Sequence, residues 1–143
     1  MRLCTAARAL LRPATMTTSL EKTIACDYDD VLAKVPAALA TEGFGVLTEI
    51  DMHKTMRAKL GIAFRRYMIL GACNPQLAHR ALEVTPDVGL MLPCNVIVYE
   101  HGGSTVVKAI DPMTTLAARD PNLRPIAEEV RARLARVIER VVA

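Results

Sequence analysis

The sequence predicts an α/β domain of the α+β kind: a two-layer sandwich in which a mixed β-sheet is covered by helices. Three observations carry that prediction. Apolar runs with strand character alternate with segments of helical periodicity in the order β-α-β-α-β-α-β-β-α. The last two strands are joined directly at His101-Gly102-Gly103, a hairpin signal that makes the sheet mixed rather than purely parallel. After residue 19 no internal repeat, low-complexity run or Gly/Ser linker divides the chain. A chain of 143 residues suits one domain, burying roughly 68–70% of its unfolded surface. The domain is expected over residues 20–143, with residues 1–19 a disordered tail or an upstream extension.

Each element has a local reason. Leu20 to Cys26 reads as the first strand. Asp29 offers an N-cap, and Val31, Val35, Ala38 and Leu39 then fall on one helical face until Gly43 stops the helix. Pro36 lies inside that helix, where a lost hydrogen bond and a ring clash predict a kink or a later start. Gly45 to Asp51 is the second strand. Asp51 caps a short helix ending at Gly61, in which Met52, Met56 and Leu60 recur at i, i+4 and i+8 and are expected to face the core. Phe64 to Cys73 is the third strand. Asn74-Pro75 opens the next helix, because Asn is a preferred cap and Pro suits the first helical position; that helix runs to Val84. Thr85 to Gly89 is a turn, and Leu90–Glu100 and Ser104–Asp111 form the hairpin strands. Leu123 to Val142 is the clearest helix, with an apolar stripe through Ile126, Val130, Leu134, Val137 and Val141 and an i, i+4 pair of Glu129 with Arg133.

Charge excludes some functions. The formal net charge is +3, from 18 Lys and Arg against 15 Asp and Glu. Arg2, Arg8 and Arg12 lie in the first 15 residues, which hold no acid, so the remainder is neutral with 15 bases and 15 acids. A neutral body with two Phe, three Tyr and no Trp argues against nucleic acid as a partner, which calls for clustered bases and stacking rings. No stretch approaches the roughly 20 apolar residues needed to span a bilayer, and neither a membrane partner nor a cofactor is expected. The four cysteines, at 4, 26, 73 and 94, form no C-x-x-C pair, and Arg8 and Arg12 break any secretory apolar core. The cytoplasm is the expected compartment. The neutral body is nonetheless polarised: residues 16–51 hold two bases and seven acids, whereas residues 52–82 hold six bases and no acid.

Several strings are specific. Gly43-Phe44-Gly45-Val46-Leu47-Thr48-Glu49-Ile50-Asp51 is followed by Lys59-Leu60-Gly61 and Ile69-Leu70-Gly71-Ala72-Cys73-Asn74-Pro75. Then come Leu77-Ala78-His79-Arg80-Ala81-Leu82, Gly89-Leu90-Met91-Leu92-Pro93-Cys94-Asn95-Val96 and Ile110-Asp111-Pro112. Together they resemble the domain of unknown function 302 family (DUF302) over most of residues 20–143. The resemblance implies a small α/β domain, a homo-oligomer (a dimer) and no established activity. Arg66 stands where the family pattern leads us to expect proline, and Pro36 is unusual in the first helix.

Candidate functional residues come from these strings. Cys73 stands just ahead of a helix, whose positive end is one route to a reactive thiolate; Gly71, two residues back, is expected to leave open space beside the sulfur. Against reactivity, free cysteine often serves as a small buried hydrophobe. His79 reads as a rim histidine bonded to Glu83, or as a proton carrier for Cys73 in an activated Cys–His pair. Cys73, His79 and Cys94 supply three metal-ligand types, but a parallel crossover between the third and fourth strands would set the cysteines at different heights; antiparallel strands would let them face each other. Two separate structural cysteines, with no metal, are the expectation. Asn95 is a polar amide within an apolar strand and must find partners, either at an interface or on a ligand. Arg65 marks a candidate anion site. The leading expectation is a homo-oligomer that binds a small or anionic ligand. The alternative is a thiol-dependent enzyme or redox protein using Cys73 with His79 or Cys94.

Overall fold

The computed structural model describes residues 19–141; the expected tail, apart from Ser19, lies outside that range. Five strands form one sheet in the order β1-β5-β4-β3-β2: β1 (Ser19–Ile24), β2 (Gly45–Asp51), β3 (Tyr67–Cys73), β4 (Cys94–His101) and β5 (Ser104–Ile110). The helices are α1 (Tyr28–Ala40), α2 (Met52–Leu60), α3 (Pro75–Val84) and α4 (Arg124–Arg140). The predicted α/β class and element order are those observed.

One topological expectation is corrected. All four strand pairings are antiparallel, so the sheet is not mixed. The reason lies in α3, whose apolar side does not lie back along β3. Leu77 and Ala81 pack instead with Val88, Ala117, Leu123, Ile126 and Ala127 in a second core beyond the strand ends. The chain therefore re-enters the sheet at the end where it left, and β4 runs antiparallel to β3.

The main core follows from the two periodicities. Leu70, Val96, Val98 and Val107 alternate onto one face of the central strands, with Leu70 opposite Val96 and Val98 opposite Val107. They pack against Val31, Val35 and Leu39 of α1 and Leu134 and Val137 of α4. Helix α1 is capped by Asp27, whose carboxylate accepts from the Tyr28 N–H at 3.1 Å; Asp29, the expected cap, sits in the first turn. The helix passes through Pro36 without ending, since Val35, Ala38 and Leu39 around it are buried. Its C-terminal end is clamped by α4. Arg136 donates to both oxygens of Glu42 at 2.9 and 3.0 Å, and Arg140 adds a bond of 2.8 Å. At the other end of the sheet Arg66 occupies the place where proline was expected. It donates to Glu100, to Asp29 at 2.7 Å, and lies 4.8 Å from the Tyr28 ring centroid.

Two local expectations are also corrected. The expected turn after Val84 is a 3-10 helix, Pro86–Met91, so β4 begins at Cys94 rather than Leu90. Helix α2 has the predicted bounds, an Asp51 cap and a left-handed Gly61. The expected burial of Met52, Met56 and Leu60 is not found: none of its residues is buried, and Leu60 is 65% exposed.

Candidate functional site

The end of the sheet at which β3 finishes and β4 begins lies beneath α3, the start of α4 and the 3-10 segments. Between them is a cavity of about 80 Å³. Its walls include Cys73, Leu77, Met91, Cys94, Ile126 and Val130. Each reaches the site for a local reason. Asn74 caps α3, its Oδ1 accepting from the Leu77 N–H at 3.2 Å while its Nδ2 donates to the Glu42 carbonyl at 3.1 Å. Leu77 is thereby aimed inward. Val130 belongs to the α4 stripe read from the sequence, at the junction of the two cores.

Cys73 and Cys94 come onto adjacent antiparallel strands, where Ala72 is the register partner of Cys94. They are one step out of register, both line the cavity, and both are free thiols. Burial pushes the Cys73 thiol above its ordinary range. Burial, with the neighbouring Cys73 adding to it, pushes Cys94 up to about 11. Low thiol pKa values need nearby cations or an open electropositive setting, whereas these walls are almost wholly apolar. The open space expected at Gly71 is also occupied. A Cβ there would lie 2.7 Å from Pro93 Cγ and against Thr48 Oγ1.

The remaining candidates are elsewhere. His79 is on the exposed flank of α3, with Nε2 3.4 Å from Glu83 Oε1, and does not line the cavity. Asn95 is exposed and pairs in register with Gly71; by strand alternation it lies on the opposite face from Cys94. Arg65 is exposed beyond the far end of β3, donating to the Glu100 carbonyl at 3.4 Å with its guanidinium 5.7 Å from the Tyr99 ring centroid. Cys73 lies eight residue steps further along, roughly 26 Å of extended chain. Among the described residues, no three of His, Cys, Asp and Glu are grouped to hold a metal ion. No described helix is long and apolar enough to cross a membrane.

The sequence reading did not foresee that Met91 and Ile126 would join the thiols around one cavity. Their signal was present, in the apolar Val88–Leu92 run and the start of the α4 stripe, but their meeting depends on the antiparallel return of β4.

The family model for DUF302, a domain of unknown function, matches residues 20–141. The chain belongs to the DUF302 family. Its fold is also that of a solved member, the uncharacterised conserved DUF302 protein from Bacillus stearothermophilus. That similarity has a TM-score of 0.81 and 30% identity, and covers 89% of this chain and 99% of the other. No curated protein matches. In this chain the cysteine strings that carried the resemblance fall at the junction of β3, α3 and β4 around the cavity.

Proposed function

We propose that this DUF302 chain is a binding protein, working as a homo-oligomer, that takes the apolar end of a small molecule into the cavity beside Cys73 and Cys94. The observation that carries the reading is the cavity itself, about 80 Å³ with almost wholly apolar walls. The pocket is half open to solvent and its walls are apolar, so the apolar end of a small molecule seated there is removed from water. The size suits a group of a few carbon atoms. The thiol-enzyme alternative has less support, because both thiols are raised and His79 is paired with Glu83 on the outer flank of α3.

Benzene is a suitable probe of the cavity. In methyl NMR, its addition should shift Leu77, Val88, Ile126 and Val130 saturably, and Ala127→Leu, which grows a side chain into the void, should abolish the shifts. Shifts that are absent, or unchanged in that variant, would remove the reading. Light scattering on the eluting protein tests the assembly separately; a monomer at all concentrations would refute it.

A further inference from the structure

Helix α2 and the loop after it have no place in the cavity or in either core. Every residue from Arg57 to Ala63 is exposed. Two of them are large aliphatic side chains on either side of Gly61, Leu60 at 65% and Ile62 at 47% exposure. The strand leading into the helix adds Leu47 and Ile50, also exposed. Residues 52–65 contain Lys54, Arg57, Lys59 and Arg65 and no acid. Lys54 has Asp51 at 3.9 Å, but Asp51 is itself the cap of α2. Among the described residues, Arg57, Lys59 and Arg65 have no carboxylate within 4.0 Å.

From this we infer that the α2 tip is a docking surface for an anionic phospholipid bilayer, with Leu60 and Ile62 entering the headgroup–acyl boundary and the bases lying among the headgroups. Exposed aliphatic side chains beside unpaired Lys and Arg are the composition of interfacial anchors. A second copy of this chain is a poor occupant, since apposing the patch with itself sets four bases against four. The tip presents seven consecutive exposed residues, Arg57 to Ala63. An anionic bilayer meets both features at once, its headgroups complementing the bases and its acyl boundary taking the aliphatic side chains. Nucleic acid would leave the two aliphatic side chains without a role. The proposal stands against the sequence-based expectation of no membrane partner.

The full chain should co-sediment with vesicles of mixed phosphatidylcholine and phosphatidylserine, less as salt rises, and far less with phosphatidylcholine alone. Each base near such a surface contributes roughly fivefold in partitioning, so Arg57→Gln with Lys59→Gln should lower binding about 25-fold. Leu60→Ser with Ile62→Ser should also lower it by about tenfold or more through lost apolar burial. All four positions are exposed, so the variants should keep the wild-type melting temperature. Every variant retains Arg2, Arg8 and Arg12, which separates the tip from the N-terminal bases. Absence of vesicle binding would overturn the inference. So would binding that survives Leu60→Ser with Ile62→Ser, the behaviour of a purely electrostatic polyanion site.

Discussion

Alkylation of the two free thiols distinguishes a packed pair from a reactive one, and its size follows from the site. At pH 7.5 an unperturbed cysteine of pKa about 8.5 is about 9% thiolate. With Cys94 pushed up to about 11, its thiolate fraction is about 0.03%, roughly 300-fold smaller. A more basic thiolate is intrinsically more nucleophilic; a Brønsted slope near 0.45 over 2.5 pH units returns roughly 13-fold. The expected native rate for Cys94 is thus about 20-fold below that of the unfolded chain, and shielding by α3 and α4 slows it further. Cys73, half-buried and also raised, should react more slowly than in the unfolded chain. The assay is iodoacetamide labelling in buffer and in denaturant, read peptide by peptide by mass spectrometry so that Cys4 and Cys26 do not interfere. A native rate for Cys73 or Cys94 above the unfolded rate would refute the argument and restore the thiol-enzyme reading.

Other expectations concern the frame around the site. Gly71→Ala should destabilise the protein by about 1–3 kcal/mol, the usual range for overpacking. Thr48 can turn its hydroxyl away, but the Pro93 ring at 2.7 Å cannot move without the strand; thermal melting would show a fall, and a neutral or stabilising result would exclude the close approach. The Glu42 carboxyl is held below the usual carboxylate range by its hydrogen bonds with Arg136. Its contribution to stability is therefore complete above the unfolded value near pH 4.3 and is lost as the pH falls through the lower folded value. Urea denaturation from pH 7 to 3 should show a shallower acid loss in Glu42→Gln than in the wild type, and parallel curves would contradict the clamp.

Elements whose signals are local were legible in the chain. Asn74-Pro75 and Asp51 capped the helices they were expected to cap, because a cap is decided by a few consecutive residues. Gly102 and Gly103 adopt the positive φ that the hairpin needs. The strings between Gly43 and Pro112 placed the chain in its family. Strand direction was not legible, since nothing local says whether the apolar side of α3 covers the sheet or meets α4 beyond its end. The fate of α2 was hidden in the same way: spacing at i, i+4 and i+8 shows that Met52, Met56 and Leu60 share one side, not that something covers it.

The sequence by itself determined the α/β class, the order of the elements, the caps of α2 and α3 and the family, all properties of residues near one another in the chain. The tertiary structure decided that the sheet is antiparallel and that Cys73 and Cys94 share an apolar cavity. It also set His79, Asn95 and Arg65 apart from that cavity and left the α2 tip uncovered. These are questions of which surfaces meet. They were settled by packing free energy summed over distant segments, chiefly α3 and α4, and not by any local motif.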